Sequence, residues 1–201
     1  GLLDHLGWDR VHLVGVSMGG MIAQEFALAT PERLHSLSLL VTHAGGLRSL
    51  IPSRDALGLF VRGFLGPKKG RAGAMQRLIF PEGYLDRIDA ARMRRALRDE
   101  VVSSARRRDR LGQIAAVLKH DTRRRLGRIT GIPTLVVQAG KDVLIDPRES
   151  ERLHALIPGA RLVRFDDAGH GIMVQCAREL NAALLDHFAS VDHANPHEPS
   201  A

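Results

Sequence analysis

Apolar residues gather in four short runs along the chain: Val11–Val16, Leu37–Val41, Ile132–Val137 and Arg161–Phe165. The first three are almost continuously apolar, as expected of strands buried on both faces of a parallel sheet. A helix-length segment, Met18–Ala29, lies between the first two and is closed by Thr30 and Pro31. A second, Pro147–Ile157, separates the last two and places proline in its first turn. An amphipathic stretch from about Gln175 to Ala189 follows the fourth run. Strands alternating with helices predict an α/β fold, a mainly parallel sheet flanked by helices.

From Gly45 to about Gly131 this rhythm stops, and breakers recur at Gly66, Pro67, Gly70, Pro81 and Gly83. A connection of that length exceeds a plain crossover, which predicts an inserted helical cap. The expected organisation is core over residues 1–44, cap over 45–130, core over 131–190 and a frayed tail over 191–201 with Pro196 and Pro199. Residues Gly1–Leu6 read as the end of a helix stopped by Gly7, so further N-terminal strands are expected to be missing from the chain.

Composition narrows the class. With 201 residues, 44% hydrophobic and 25% charged, the chain can bury a core as one globular domain. Its lone cysteine, Cys176, rules out an intrachain disulfide and fits a reducing cytoplasm. No apolar run approaches the length of a membrane-spanning helix, so stable membrane insertion is not expected. The net charge of +7 is local: residues 92–128 hold 13 Lys+Arg and 4 Asp+Glu, leaving the rest of the chain at −2. A solvated Arg-rich helical face accounts for this, the alternative being a patch for anionic substrates, membrane or nucleic acid. Aromatics make up 4% of the residues and no nucleic-acid motif accompanies the arginines, so no nucleic-acid partner is expected.

The chemistry concentrates where the first run meets its helix, at Gly15-Val16-Ser17-Met18-Gly19-Gly20. A GxSxG sequence between strand and helix forms a sharp turn that projects the serine outward. Gly15 and Gly19 are expected to let strand and helix pack closely, and the Met18 N–H to face an oxyanion formed on attack. Serine needs a base and an orienting carboxylate. His170, between Gly169 and Gly171 just after the fourth run, sits where open α/β sheets place their ligand sites. Asp142 follows the third run. Asp146, just before Pro147 and three residues before Glu149, reads instead as a helix N-cap. Asp166 and Asp167 read as solvated loop residues. His43, Phe60, Phe64 and Ile172 are candidates for the substrate pocket; Leu59, Phe60, Phe64 and Phe80 fit equally as the core of the cap.

These segments, together with IPTLVVQAGKDVLIDP and IPGARLVRFDDAGHG, resemble the α/β-hydrolase superfamily over residues 1–45 and 130–189. They are most similar to bacterial esterases of the aclacinomycin methylesterase and enol-lactonase type. The resemblance implies Ser17 as nucleophile, Asp142 as acid, His170 as base and no metal or organic cofactor. It also implies that a second oxyanion N–H comes from a loop before this chain. The implied activity is hydrolysis of a small-molecule carboxylic ester through an acyl-enzyme. Hydrolysis of a C–C bond, lactone or thioester by the same triad, or non-catalytic binding on the same fold, remain as alternatives.

Overall fold

The structure, a computed structural model, describes residues 1–46, 49, 54–97 and 107–194. Arg106, Pro196 and Pro199 lie outside these residues, as do the side chains of Phe64, Arg107 and Arg108. Four parallel strands, β1 (Val11–Val16), β2 (Leu34–Leu40), β3 (Thr134–Ala139) and β4 (Arg161–Phe165), form one sheet in the order β1-β2-β3-β4. Helix α1 (Leu2–His5) precedes the sheet and α2 (Met18–Ala29) joins β1 to β2. The long connection to β3 carries α3 (Arg54–Phe60), a π turn at Val61–Leu65, α4 (Lys68–Ile79), α5 (Glu82–Leu85), α6 (Ala90–Leu97) and α7 (Arg107–Lys119). Helices α8 (Arg148–Leu156), α9 (Ile172–Gln175) and α10 (Ala177–Ala194) complete the chain.

Side chains alternate across the sheet, as the two-residue period of a strand requires. Leu37, Leu39 and Val136 pack with Ala23 and Ala27 of α2 and with Leu153 of α8. Leu40, Leu135 and Val137 pack on the opposite face with Leu180 of α10. Every residue of β3 is buried, so this strand is covered on both faces as its sequence predicts. Strand β1 differs. It pairs only with β2, and Val14 is 39% exposed, so the expected central strand is an edge of the described sheet.

Boundaries also move: β2 spans Leu34–Leu40 rather than Leu37–Val41, and β3 ends at Ala139 rather than Val137. Strand β3 begins at Thr134 rather than Ile132, because Pro133 has no N–H to give; its carbonyl accepts from Leu37 at 3.0 Å. The expected helix from Gln175 splits into α9 and α10 at Cys176, whose φ of −125° and ψ of 37° are not helical. The tail expected from Val191 remains helical through Ala194, since Val191 is buried. Among the described residues, no helix is long and apolar enough to cross a membrane.

Candidate active site

Ser17 occupies the turn between β1 and α2 with φ 53° and ψ −119°, a conformation that costs an L-residue about 1–3 kcal/mol. Its neighbours hold it there. The Ser17 N–H donates to the Leu40 carbonyl at 2.9 Å, and the Thr42 hydroxyl donates to the Ser17 carbonyl at 2.7 Å. A Cβ on Gly15 would lie 2.5 Å from the Gly19 carbonyl oxygen, and one on Gly20 would lie 2.6 Å from the Thr42 side chain. The glycines that closeness demands are therefore Gly15 and Gly20. Gly19, expected to share this role, faces open space and contributes only its carbonyl to the contact. Met18 is the first residue of α2, where a backbone N–H has no helical acceptor.

Asp142 and His170 come from the loops after β3 and β4. Those loops are sewn together by Gly140 N–H donating to the Phe165 carbonyl at 2.9 Å and Lys141 N–H to the Ala168 carbonyl at 2.8 Å. One Asp142 oxygen accepts the N–H groups of Leu144 and Ile145, at 2.8 and 3.0 Å. The other lies 2.7 Å from His170 Nδ1. The aspartate side chain is 1% exposed and the histidine side chain 9%. A carboxylate oxygen facing Nδ1 calls for the ring proton there, which leaves Nε2 as the acceptor of the imidazole. Asp146 accepts the Arg148 N–H at 2.9 Å and pairs with its guanidinium, which lowers the Asp146 pKa; Pro147 holds the N-cap position expected for Asp146, whose side chain satisfies the first N–H of α8 from one residue before it. Asp167 is an exposed partner of Lys141.

Ser17 and Met18 border a cavity of about 350 Å³. Met21 of α2, His43 of the loop after β2, and Leu57 and Phe60 of α3 continue its wall. Gln113, Ile114, Val117 and Leu118 of α7 face them, and Leu144 and Ile145 close the side next to Asp142. His170 does not border this cavity, and among the described residues no hydrogen bond joins Ser17 to His170. The pocket residues expected from sequence divide. His43 and Phe60 line the cavity, whereas Ile172 is fully buried in the core against β2, β3 and α10. The Phe64 side chain lies outside the described residues.

A second serine–histidine–aspartate chain shows what the site requires beyond residue types. His12 Nδ1 is 2.8 Å from Ser36 Oγ and its Nε2 is 3.1 Å from an Asp192 oxygen. Ser36 has no exposed surface, so no substrate carbonyl can reach it. Ser17, by contrast, opens onto a cavity from a strained turn.

Residues 2–175 match the alpha/beta hydrolase fold family. The chain belongs to the α/β-hydrolase family. Among curated relatives, this α/β-hydrolase chain is 30% identical over 195 residues to 2-hydroxy-6-oxononadienedioate/2-hydroxy-6-oxononatrienedioate hydrolase 1 of Dechloromonas aromatica, covering 92% of this chain and 64% of that protein. It is 29% identical over 193 residues to the dihydrolipoyllysine-residue acetyltransferase component of an acetoin cleaving system of Pseudomonas putida, covering 92% of this chain and 47% of that protein. Among solved structures, a thermophilic esterase of Thermogutta terrifontis superposes with a TM-score of 0.75 at 25% identity, covering 95% of this chain and 69% of that one. The chain thus spans 64% and 47% of the length of these two curated relatives.

Within this α/β-hydrolase chain, sequence reasoning missed the contribution of α7. Ile114, Val117 and Leu118 fall at the i, i+3, i+4 spacing of one helical face. They lie inside the stretch whose charge marked it as a solvated surface, and their signal is only five residues long. Leu144 and Ile145 were hidden for a different reason: they belong to a loop, which has no periodicity to read.

Proposed function

We propose that this chain hydrolyses a small carboxylic ester with an uncharged, largely apolar acyl group, through an acyl-enzyme on Ser17. The observation that carries the reading is the shielded 2.7 Å contact between His170 Nδ1 and Asp142, set at the same C-terminal end of the parallel strands as the strained Ser17. In the proposed reaction the Ser17 oxygen attacks the ester carbonyl while His170 Nε2 takes its proton. The Met18 N–H, at the positive end of α2, stabilises the resulting oxyanion. His170 then returns the proton to the departing alcohol, and water hydrolyses the acyl-Ser17 by the same steps.

The cavity supports an acyl assignment. A leaving alcohol has to lie against His170, which protonates it, and His170 does not border the cavity. The portion that stays on Ser17 therefore fills the space between Met21, Phe60 and Ile114. In this reading residues 45–130 act as a cap that supplies selectivity. A second reading follows the Dechloromonas relative, whose name specifies a dienedioate. Two carboxylates buried here would need cationic partners, and among the described lining residues none is charged. A fluorophosphonate probe and p-nitrophenyl butyrate test the proposal. Covalent labelling and turnover should both vanish in Ser17→Ala, and retention of parent-level turnover would overturn the mechanism.

A further inference from the structure

We propose that His43 is a specificity-determining residue whose Nε2–H donates a hydrogen bond to an uncharged oxygen on the acyl chain, beyond the scissile carbonyl. This inference rests on the ester-hydrolase reading above. It extends that reading to a substrate class: esters of oxo-, hydroxy- or alkoxy-acids rather than of plain alkanoic acids.

Three observations converge on the donor. The Gly45 N–H donates to His43 Nδ1 at 2.9 Å, which makes Nδ1 an acceptor and places the ring proton on Nε2. His43 borders the cavity together with Ser17 and Met21, and among the described residues the hydrogen bond to its ring is the one at Nδ1, from Gly45. Burial, reinforced by His120 with its ring centre 6.1 Å away, lowers the His43 pKa from 6.5 to about 4, so the ring is neutral near pH 7. A neutral imidazole with its Nδ1 occupied offers one donor and no charge. It suits a carbonyl, hydroxyl or ether oxygen.

The backbone around His43 is held more firmly than an apolar wall needs. Val41, a β-branched residue, turns the chain out of β2 with φ 44°. The His43 carbonyl accepts from Gln24 Nε2 at 3.0 Å, and the Gln24 carbonyl oxygen accepts from the Thr122 hydroxyl at 2.6 Å. The Thr122 N–H donates in turn to the Ala44 carbonyl at 2.8 Å. Gly45, with φ 91°, pairs with Asp121, and a Cβ there would lie 2.7 Å from the Asp121 Cα. These contacts run from α2 and from the chain after α7, and together they hold the backbone that carries the imidazole. Preorganised donors of this kind discriminate strongly, because a substrate lacking the oxygen leaves the donor buried and unpaired.

The test compares three esters on the full chain: p-nitrophenyl hexanoate, p-nitrophenyl 5-oxohexanoate and the mono-p-nitrophenyl ester of adipic acid. The parent should favour the 5-oxo ester over hexanoate by about tenfold in kcat/KM. His43→Leu should erase that preference whatever its absolute rate on hexanoate, and His43→Gln, which keeps an N–H donor, should retain part of it. Equal losses on both esters in His43→Leu, a parent with no preference, or a parent that favours the adipate monoester would each overturn the proposal. Calorimetric binding of the corresponding amides to Ser17→Ala reads the same preference without chemistry. A preference kept there while the parent hydrolyses no ester would overturn the hydrolase reading and leave His43 as the recognition residue. A preference absent there would overturn the role of His43 itself.

Discussion

Gly171 donates its backbone N–H to the carbonyl of Ile79 at 2.9 Å, which bonds the loop carrying His170 to the end of α4. The approach is close on both sides of the histidine. A Cβ on Gly169 would lie 2.6 Å from Pro81 Cδ and 2.8 Å from the Ile79 carbonyl oxygen, while one on Gly171 would meet the side chains of Ile79 and Phe80. The two glycines that flank His170 therefore make room for the insertion.

Gly169→Ala should consequently damage catalysis more than Gly171→Ala. The first substitution meets a proline ring and a backbone carbonyl, which cannot rotate away, so the loop itself must shift. A displacement near 1 Å of a reacting group costs on the order of 10²-fold in turnover. The second meets side chains that can repack. Ester-hydrolysis kcat for both variants, with melting temperatures as a control for folding, checks the order; a larger kcat loss in Gly171→Ala would contradict it.

The two carboxylates after β3 should separate cleanly. Asp142→Asn keeps the shape of the side chain but favours the wrong imidazole tautomer, and kcat should fall by roughly 10³–10⁴. Asp146→Asn should leave kcat within a few-fold of the parent, because an asparagine oxygen can accept the same N–H. Steady-state kinetics on the pair decide between them. Loss of activity confined to Asp146→Asn would move the acid role to Asp146.

Stability should fall as the pH drops from about 6.5 towards 4. The pKa of His43 is lowered from 6.5 to about 4 by burial, and the pKa values of His120 and His187 are also lowered, with burial the leading cause. Between the two values the unfolded chain binds the proton and the folded chain does not, so stability rises with pH across that window. For His43 alone the full effect is about 3 kcal/mol, present above pH 6.5 and gone below 4. Thermal melts from pH 4 to 7.5 should show a flatter profile for His43→Gln than for the parent. Identical slopes would mean that His43 is solvated in the folded state.

Strand β1 should make the 201-residue chain self-associate. Its outer edge is unpaired in the described sheet, and Val14 and Trp8 are exposed to 39% and 48%. Unprotected apolar edges recruit other strands, and a lysine on the edge opposes this. Sedimentation velocity should show concentration-dependent species for the parent chain and fewer of them for Val14→Lys. A strictly monomeric parent at high concentration would show that the edge is already blunted.

The legible parts of this molecule are those in which chemistry and period coincide. Met18–Ala29 and Val11–Val16 appear at their expected bounds because a continuous apolar run, two glycines and Pro31 all mark the same ends. Ser17, Asp142 and His170 were legible as candidates, because their chain order and strand-end positions follow a known reaction, and the structure brings Asp142 and His170 to 2.7 Å. What the pattern misplaced was set by contacts distant in sequence. Ile172 follows His170 closely enough to be taken for a pocket residue, yet β2, β3 and α10 enclose it. Gly19 stands in the motif, but the clash it was expected to avoid falls on Gly15 and Gly20. The Ile114–Val117–Leu118 face of α7 was obscured because the arginines around it dominate any reading by charge.

One part of the cavity wall and two of the proposed reactive groups occupy different stretches of the chain. Leu57, Phe60, Ile114 and Val117 come between β2 and β3, whereas Asp142 and His170 follow β3 and β4. One uninterrupted span of coding sequence can therefore be exchanged to alter what is bound without touching the groups that react. The bond from Gly171 to Ile79 sets the terms of that exchange. Any replacement span has to present a backbone carbonyl, followed by a compact residue such as Pro81, to the glycines on either side of His170. Among the described residues, recombination is constrained at this clasp and again at Asp121 and Thr122, which bond to Gly45 and Gln24; a graft mismatched at the clasp would lose turnover before it lost its fold.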